Sequence, residues 1–316
     1  MDKLVERETA TRTPLVAAPA LAVQFFLIPL AVVGITVLMY VGFRSLLVEE
    51  RSPRDYLTEI RHGGTNRQWP AAFELSRLMD APEVRADRSL APELVQAFEE
   101  AKEGDPRVRR YLALAIGRLD PPLPPEAIAA LTASLEDPAQ PWTPDFFSRL
   151  NGWAEIDINE ARIMTIWALG SSGDPSVVPR LQPLYESSDD GIRKMVVYAL
   201  GALPGEAQLA TLRTALQDPA VDVRWNAAVA LARHSSAEGV PVLKEMLDRA
   251  HVERTVKRDV SQFADQDPVA DVLISGLRAA ATLKDPSLRP SIEGLSQQDR
   301  SLKVRQAALE ALKAMG

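Results

Sequence analysis

A nine-residue pattern returns along this chain in a fixed frame and limits what the chain can fold into. RRYLALAIG from Arg109, RIMTIWALG from Arg162, RKMVVYALG from Arg193, RWNAAVALA from Arg224 and RQAALEALK from Arg305 align without gaps on their arginines. Each carries small or aliphatic residues three, four, six and seven places on, apart from Thr165 in the second. QWPAAFELS from Gln68 and ISGLRAAAT from Ile274 fit the same frame without the arginine. The starts at 68, 109, 162, 193, 224, 274 and 305 are 41, 53, 31, 31, 50 and 31 residues apart. A period of 31 thus appears three times, and the two long gaps exceed it by 22 and 19 residues, as an inserted loop or an extended helix would produce. Apolar positions three and four apart line one face of a helix, and the β-branched alternation of strands is missing.

The other half of each period is regular too. A short turn (Gly173-Asp174-Pro175, Pro204-Gly205, Asp285-Pro286) precedes a second amphipathic stretch such as SVVPRLQPLYE or EAQLATLRTAL. Another turn with Asp or Pro (Asp137-Pro138, Asp189-Asp190, Asp218-Pro219) leads into the next arginine segment. Asp before a helix accepts hydrogen bonds from its free N–H groups, and Pro suits the first turn. Each repeat therefore reads as a helical hairpin. A hairpin cannot bury its apolar face alone, so seven copies imply an all-α chain built as an elongated α-solenoid.

This pattern resembles the HEAT-repeat family, particularly the short bacterial type also found in phycobilisome lyases. That type opens its second helix with Asp-Pro-x-x-x-Val-Arg-x-x-Ala-x-x-Ala-Leu-Gly, and Asp218-Pro219-Ala220-Val221-Asp222-Val223-Arg224 followed by Ala227, Ala230 and Leu231 matches it closely. The resemblance covers about residues 53 to 316 and implies about seven HEAT-like hairpins, with the first copy as an N-terminal cap. It implies a fold rather than an activity, since such repeats serve unrelated roles.

Ahead of the repeats, Ala22 to Phe43 reads AVQFFLIPLAVVGITVLMYVGF, without a charged residue. As a helix those 22 residues would span about 33 Å, against about 30 Å for a bilayer's hydrocarbon core. A secretory signal is the competing reading, but its apolar stretch is shorter and ends in a small-residue cleavage site. The expected organisation is a tail over 1–20, a transmembrane helix over 21–47 and the solenoid over 48–316. Lys3, Arg7 and Arg12 on one flank face Arg44, Arg51, Arg54, Arg61 and Arg67 on the other. The positive-inside rule then places the repeat domain in the cytoplasm, giving a single-pass membrane protein.

A formal net charge of −7 opposes sequence-independent nucleic-acid binding. The chain has no cysteine, and His62, His234 and His251 lack metal-ligand spacing, so no metal site is expected. No Gly-rich phosphate loop, Gly-x-Ser-x-Gly elbow or His-Glu-x-x-His occurs. The chain is accordingly expected to be no enzyme, with no cofactor and no small-molecule substrate. It reads as a membrane-anchored scaffold for a protein partner, an accessory or assembly subunit of a bacterial membrane complex. The alternative is a lyase or chaperone-like factor acting on a chromophore-bearing protein.

Four features stand out as sites. The arginine ladder of Arg109, Arg162, Arg193, Arg224 and Arg305 is read as structural, each arginine reaching a turn acid, rather than as a receptor for an acidic partner. The first insertion holds Trp142, Phe146, Phe147 and Trp153 in a chain with 6% aromatic residues, and it is the partner-binding candidate. The second, from Arg249 to Asp267, reads as an overlong helix with a solvated face. Arg51, Arg54, Arg61 and Arg67 form a basic stretch that could rest on anionic headgroups. Replacing Trp142, Phe146 and Phe147 by alanine is expected to remove co-purifying proteins without changing helicity by circular dichroism. Unfolding would instead make the aromatics a cover for the core.

Overall fold

Where the sequence places Asp and Pro at turns, helices begin. The Asp105 carboxylate accepts from Arg107 N–H and Asp189 from Ile192 N–H, while Pro106, Pro125 and Pro268 fill first turns, where a missing N–H costs nothing. The structure, a computed structural model, describes residues 28–47, 51–137, 159–256 and 267–316. It divides into two units, Met1–Ser52 and Pro53–Gly316.

In the first unit the described element is helix α1, Ile28–Leu47, with exposed side chains over 29–40 and its Thr36 hydroxyl donating to the Val32 carbonyl. Among the described residues no helix is long and apolar enough to cross a membrane. The expected span began at Ala22, six residues before α1, and residues 22–27 lie outside the described residues. The transmembrane helix is thus an expectation the structure does not establish.

The second unit is a stack of helical hairpins. First and second helices pair as α2 Pro53–His62 with α3 Thr65–Leu78, α5 Ala91–Glu100 with α6 Pro106–Gly117, and α7 Pro125–Ser134 with α8 Asn159–Ser171. The short α9, Val178–Leu181, flanked by 3-10 turns, pairs through them with α10 Asp190–Ala202, and α11 Leu209–Ala215 pairs with α12 Val221–Arg233. Then α13 Val240–Met246 pairs with α15 Pro268–Leu283, and α16 Arg289–Gln298 with α17 Leu302–Met315. All seven copies of the recurring segment fall in second helices. These pack side by side in one row, α3 through α17. The extra length of the first gap is α4, Pro82–Arg85, and the turn Arg88–Leu90. No strand occurs among the described residues.

In the arginine-bearing segments the residues at three, four, six and seven places form the core, except at α17, where Leu309 is 53% exposed and Leu312 only partly buried. Leu112, Ile166, Val196, Val197, Leu200 and Leu231 are fully buried, opposite Leu94, Leu131, Leu181, Leu212 and Leu243 of the first helices. Burying one such side chain stabilises by roughly 1.5–3 kcal/mol. Thr165, the exception, is buried with its hydroxyl donating to the Ala161 carbonyl.

Spacing between second helices is set eight places after the arginine. A Cβ on Gly170 would lie 2.6 Å from Ala199 Cα and Cβ, and one on Gly117 would lie 2.8 Å from Ala168 Cα. Gly201 meets Ala230 in the same way. At α12 the equivalent residue is Ala232, and there the hydrophobic core divides: Ala227, Ala230 and Leu231 belong to one cluster, Trp225, Ala228 and Ala232 to the next.

The second insertion corrects the sequence reading. No single long helix runs through it: α13 ends at Met246, and the Asp248 carboxylate accepts from His251 N–H to start a separate helix, α14, Arg249–Thr255. Aspartate two residues past a helix end competes as a new cap.

Gly170→Ala is expected to destabilise the domain by about 1–3 kcal/mol through overpacking, read from urea unfolding. Gly294→Ala in α16, where a Cβ meets nothing within 4 Å, is expected to be neutral or stabilising by about 0.5–1 kcal/mol.

Candidate functional site

Four of the five ladder arginines, Arg162, Arg193, Arg224 and Arg305, stand in the first turn of their helices and reach back to the turn that precedes them. Arg193 Nη1 donates to the carbonyls of Ser187 and Ser188 at 3.0 and 3.2 Å, Arg224 Nη1 to Asp218 and Pro219 at 2.8 and 3.2 Å, and Arg305 Nη1 to Asp299 at 2.5 Å. Arg162 Nη2 donates to the Asp137 carbonyl at 2.8 Å, so the frame closes across the first insertion. The same guanidinium can bind the acid of the following repeat. Arg193 Nε and Nη2 donate to Asp218 Oδ2 and Oδ1 at 2.9 and 3.0 Å, and Arg109 Nη2 donates to Asp137 Oδ2 at 2.6 Å beside Lys102.

Asp218 is 4% exposed, and its carboxylate also accepts from Ala220 N–H at 2.8 Å and the Tyr185 hydroxyl at 3.0 Å. Burial alone would push this carboxyl up. The Arg193 hydrogen bonds, the Ala220 N–H, Tyr185 and the Arg193 charge outweigh burial and hold it below the usual carboxylate range. Burial, then the Asp218 carboxylate, push the Tyr185 hydroxyl up to about 12.

Arg249 belongs to this system, although the sequence placed it on a solvated face. Its Nε and Nη2 donate to Asp299 Oδ2 and Oδ1 at 2.6 and 2.7 Å. The ladder position of α15 is Ile274, so Asp299 would lack an arginine there, and α14 supplies one. The basic stretch after α1 is also engaged within the repeats: Arg54 pairs with Glu93 at 2.9 Å and Arg61 with Glu100 at 2.7 Å. Both guanidinia are already matched by a carboxylate, which reduces what they offer to headgroups.

Trp142, Phe146, Phe147 and Trp153 lie outside the described residues. What the structure brings together instead is a strip two and five places after the arginine frame. It runs from Phe73 on α3 through Tyr111 and Leu114 on α6, Met164 and Trp167 on α8, and Met195 and Tyr198 on α10, to Val229 on α12. These side chains are partly exposed, Tyr198 by 36%. Phe73 and Tyr111 meet edge to face with centroids 5.3 Å apart, and Arg77, Arg110 and Arg233 lie over Phe73, Tyr111 and Tyr198 at 5.8, 5.4 and 5.6 Å. At α15 the same places hold Gly276 and Ala279, both buried, and at α17 Ala307 and Glu310, so the strip ends at α12. Sequence reasoning passed over it because large apolar residues in a helix read as core. The signal was present in their offset, two and five, against three, four, six and seven for the core.

Where α10, α12 and α15 adjoin, the strip opens into a groove of about 840 Å³ lined by Met195, Tyr198, Trp225, Val229 and Val272, with Asp190, Asp222 and Asp271 around them. Among the described residues no group of three His, Cys, Asp or Glu could hold a metal ion.

Residues 157–222 match the family model for HEAT repeats, and residues 223–249 match the one for the PBS lyase HEAT-like repeat. Over those residues the chain is built of HEAT repeats. They run from the start of α8 to the start of α14, including the Arg193–Asp218 link and two walls of the groove; the hairpins on either side continue the same stack. No curated protein matches the sequence. The crystal structure of an engineered protein is similar at 16% identity over 84% of this chain and 96% of that one, with a TM-score of 0.37. That likeness is too low to inform function.

Asp218→Asn is expected to cost about 3 kcal/mol at neutral pH, because it leaves the partly buried Arg193 charge without its carboxylate. The folded Asp218 carboxyl is held low, so its contribution is present above the unfolded value of about 3.9 and is lost as pH falls through the folded one. The difference in urea unfolding between the two proteins should therefore begin to shrink below about pH 4 and vanish only below the folded Asp218 value.

Proposed function

We propose that this chain is a membrane-tethered HEAT-repeat scaffold that holds a protein partner on the face of its second helices, acting by binding rather than by catalysis. One observation carries the reading: large apolar and aromatic side chains at two and five places recur on successive second helices, packed against the margin of the core and partly exposed. Partly exposed aromatics flanked by arginine are the side chains enriched where proteins bind one another. A row rather than a patch suits an elongated partner, since solenoids bind along their length.

The tether rests on sequence: the uncharged run from Ala22 to Phe43, together with exposed apolar side chains over 29–40 of α1. We place the repeats on the cytoplasmic side, and the partner in a larger membrane complex for which this chain is an accessory or assembly subunit.

The test is a photo-crosslinking amino acid placed in cells at Tyr198 on the second-helix face and at Thr211 on the first-helix side. Crosslinked protein is expected from Tyr198 alone, in the membrane fraction resistant to alkaline carbonate. Equal crosslinking from both positions would refute the docking face, and release by carbonate would refute the tether. A reporter fused after Gly316 is expected to be active only in the cytoplasm.

A further inference from the structure

We propose that the groove between α10, α12 and α15 takes a short segment of the partner that presents an aliphatic or aromatic side chain next to a lysine or arginine. This rests on the scaffold reading above and names the chemistry of its occupant.

The floor is apolar, formed by Met195, Trp225, Val229 and Val272. Around it, among the described residues, stand Asp190, Asp222 and Asp271 against one cation, Lys194, which is 3.7 Å from Asp222. Asp190 and Asp271 have no ion-pair partner among the described residues. All three acids lie in first turns, where the helix dipole favours them in any fold. The dipole does not explain the fourth observation. Trp225 is 5% exposed, and its Nε1 has no hydrogen-bond acceptor. A buried N–H without a partner costs the free energy of a lost hydrogen bond, and native structures seldom leave one. The indole ring lines the groove floor while its Nε1 is buried beneath it, so an occupant's carbonyl would satisfy the N–H only with the indole turned towards the groove.

Extended shape favours a chain over a compact molecule. A second depression, which shares Val229, Asp271 and Ser275, continues the groove along α12 and α15 to Arg233 and Arg278. The occupant's cation then belongs at the acidic half, near Trp225, and its apolar side chain on the floor.

The probe is an acetylated, amidated hexapeptide of alternating lysine and leucine, fluorescein-labelled, titrated into the full-length chain in detergent with protein-free micelles as blank. Analogues replace every lysine by glutamine or glutamate, or every leucine by serine. The lysine–leucine peptide is expected to bind at least about tenfold more tightly than the glutamine analogue, less so as salt is raised, with the other two not binding. Asp222→Asn with Asp271→Asn should lose about tenfold, and Trp225→Phe about three- to tenfold. The indole emission change on binding should vanish in Trp225→Phe, while Glu206→Gln, a charge change on another turn, should leave affinity unaltered.

Equal binding of the lysine and glutamate peptides, or no effect of the aspartate substitutions, would overturn the proposal. So would a gain above tenfold when residues 257–266 are replaced by glycine and serine. That segment joins Val256 to Asp267 and carries Lys257, Arg258, Val260 and Phe263, so such a gain would identify the chain itself as occupant. If the peptides fail while a crosslinker at Tyr198 still traps a protein, the chemistry falls and the scaffold reading stands. If neither binds, both fall.

Discussion

The turn that starts each second helix must satisfy two sets of backbone groups at once: the free N–H groups of the helix it begins and the carbonyls it leaves exposed. Arginine and aspartate divide this task. The aspartate accepts from the N–H of the residue just before the helix, as Asp218 does from Ala220, and the arginine six places on donates to the turn carbonyls, as Arg224 does to Asp218 and Pro219. Because the guanidinium has donors to spare, Arg193 also clasps the carboxylate of the next turn. The link within a repeat thereby becomes the link between repeats.

That double use explains how the stack tolerates its insertions. Arg162 holds the carbonyl at Asp137 although the first insertion separates them in sequence. In the second, α15 has no arginine at its ladder position, and Arg249 reaches Asp299 from α14. A bidentate pair depends on where the guanidinium arrives, not on which segment of chain delivers it. The glycines at Gly117, Gly170 and Gly201 set the other dimension, letting neighbouring helices touch through alanine. Beyond Gly201 that device stops, the core divides at α12, and the groove lies there.

The docking face we propose lies on what this framework leaves partly exposed. With the positions three, four, six and seven in the core and the arginine at the turns, the places two and five on the second helices lie at the core's margin, partly exposed. They hold Tyr111, Trp167 and Tyr198 along the stack and give way to Ala307 and Glu310 at its end. Side chains of that size with partial exposure cost solubility in an isolated protein, and a partner's surface removes that cost.

The hairpins, their period and the two interruptions were legible in the sequence because each depends on local chemistry: helix periodicity, a capping aspartate, a first-turn proline. The family resemblance rested on those same residues, and the match over 157–249 falls on them. The second insertion was misread because periodicity continues through Leu247 and Asp248, and only the cap formed by Asp248 shows the break. The groove was not legible at all. Tyr198, Trp225 and Val272 come from three repeats, and which of their faces remains uncovered depends on how far apart α12 and α15 stand. The sequence by itself determined the repeating unit, since capping and amphipathic periodicity act within about thirty residues. Only the tertiary structure decided that Arg249 replaces a ladder arginine and that an acid-rimmed groove opens beside Trp225, because both depend on distances between residues far apart in the chain.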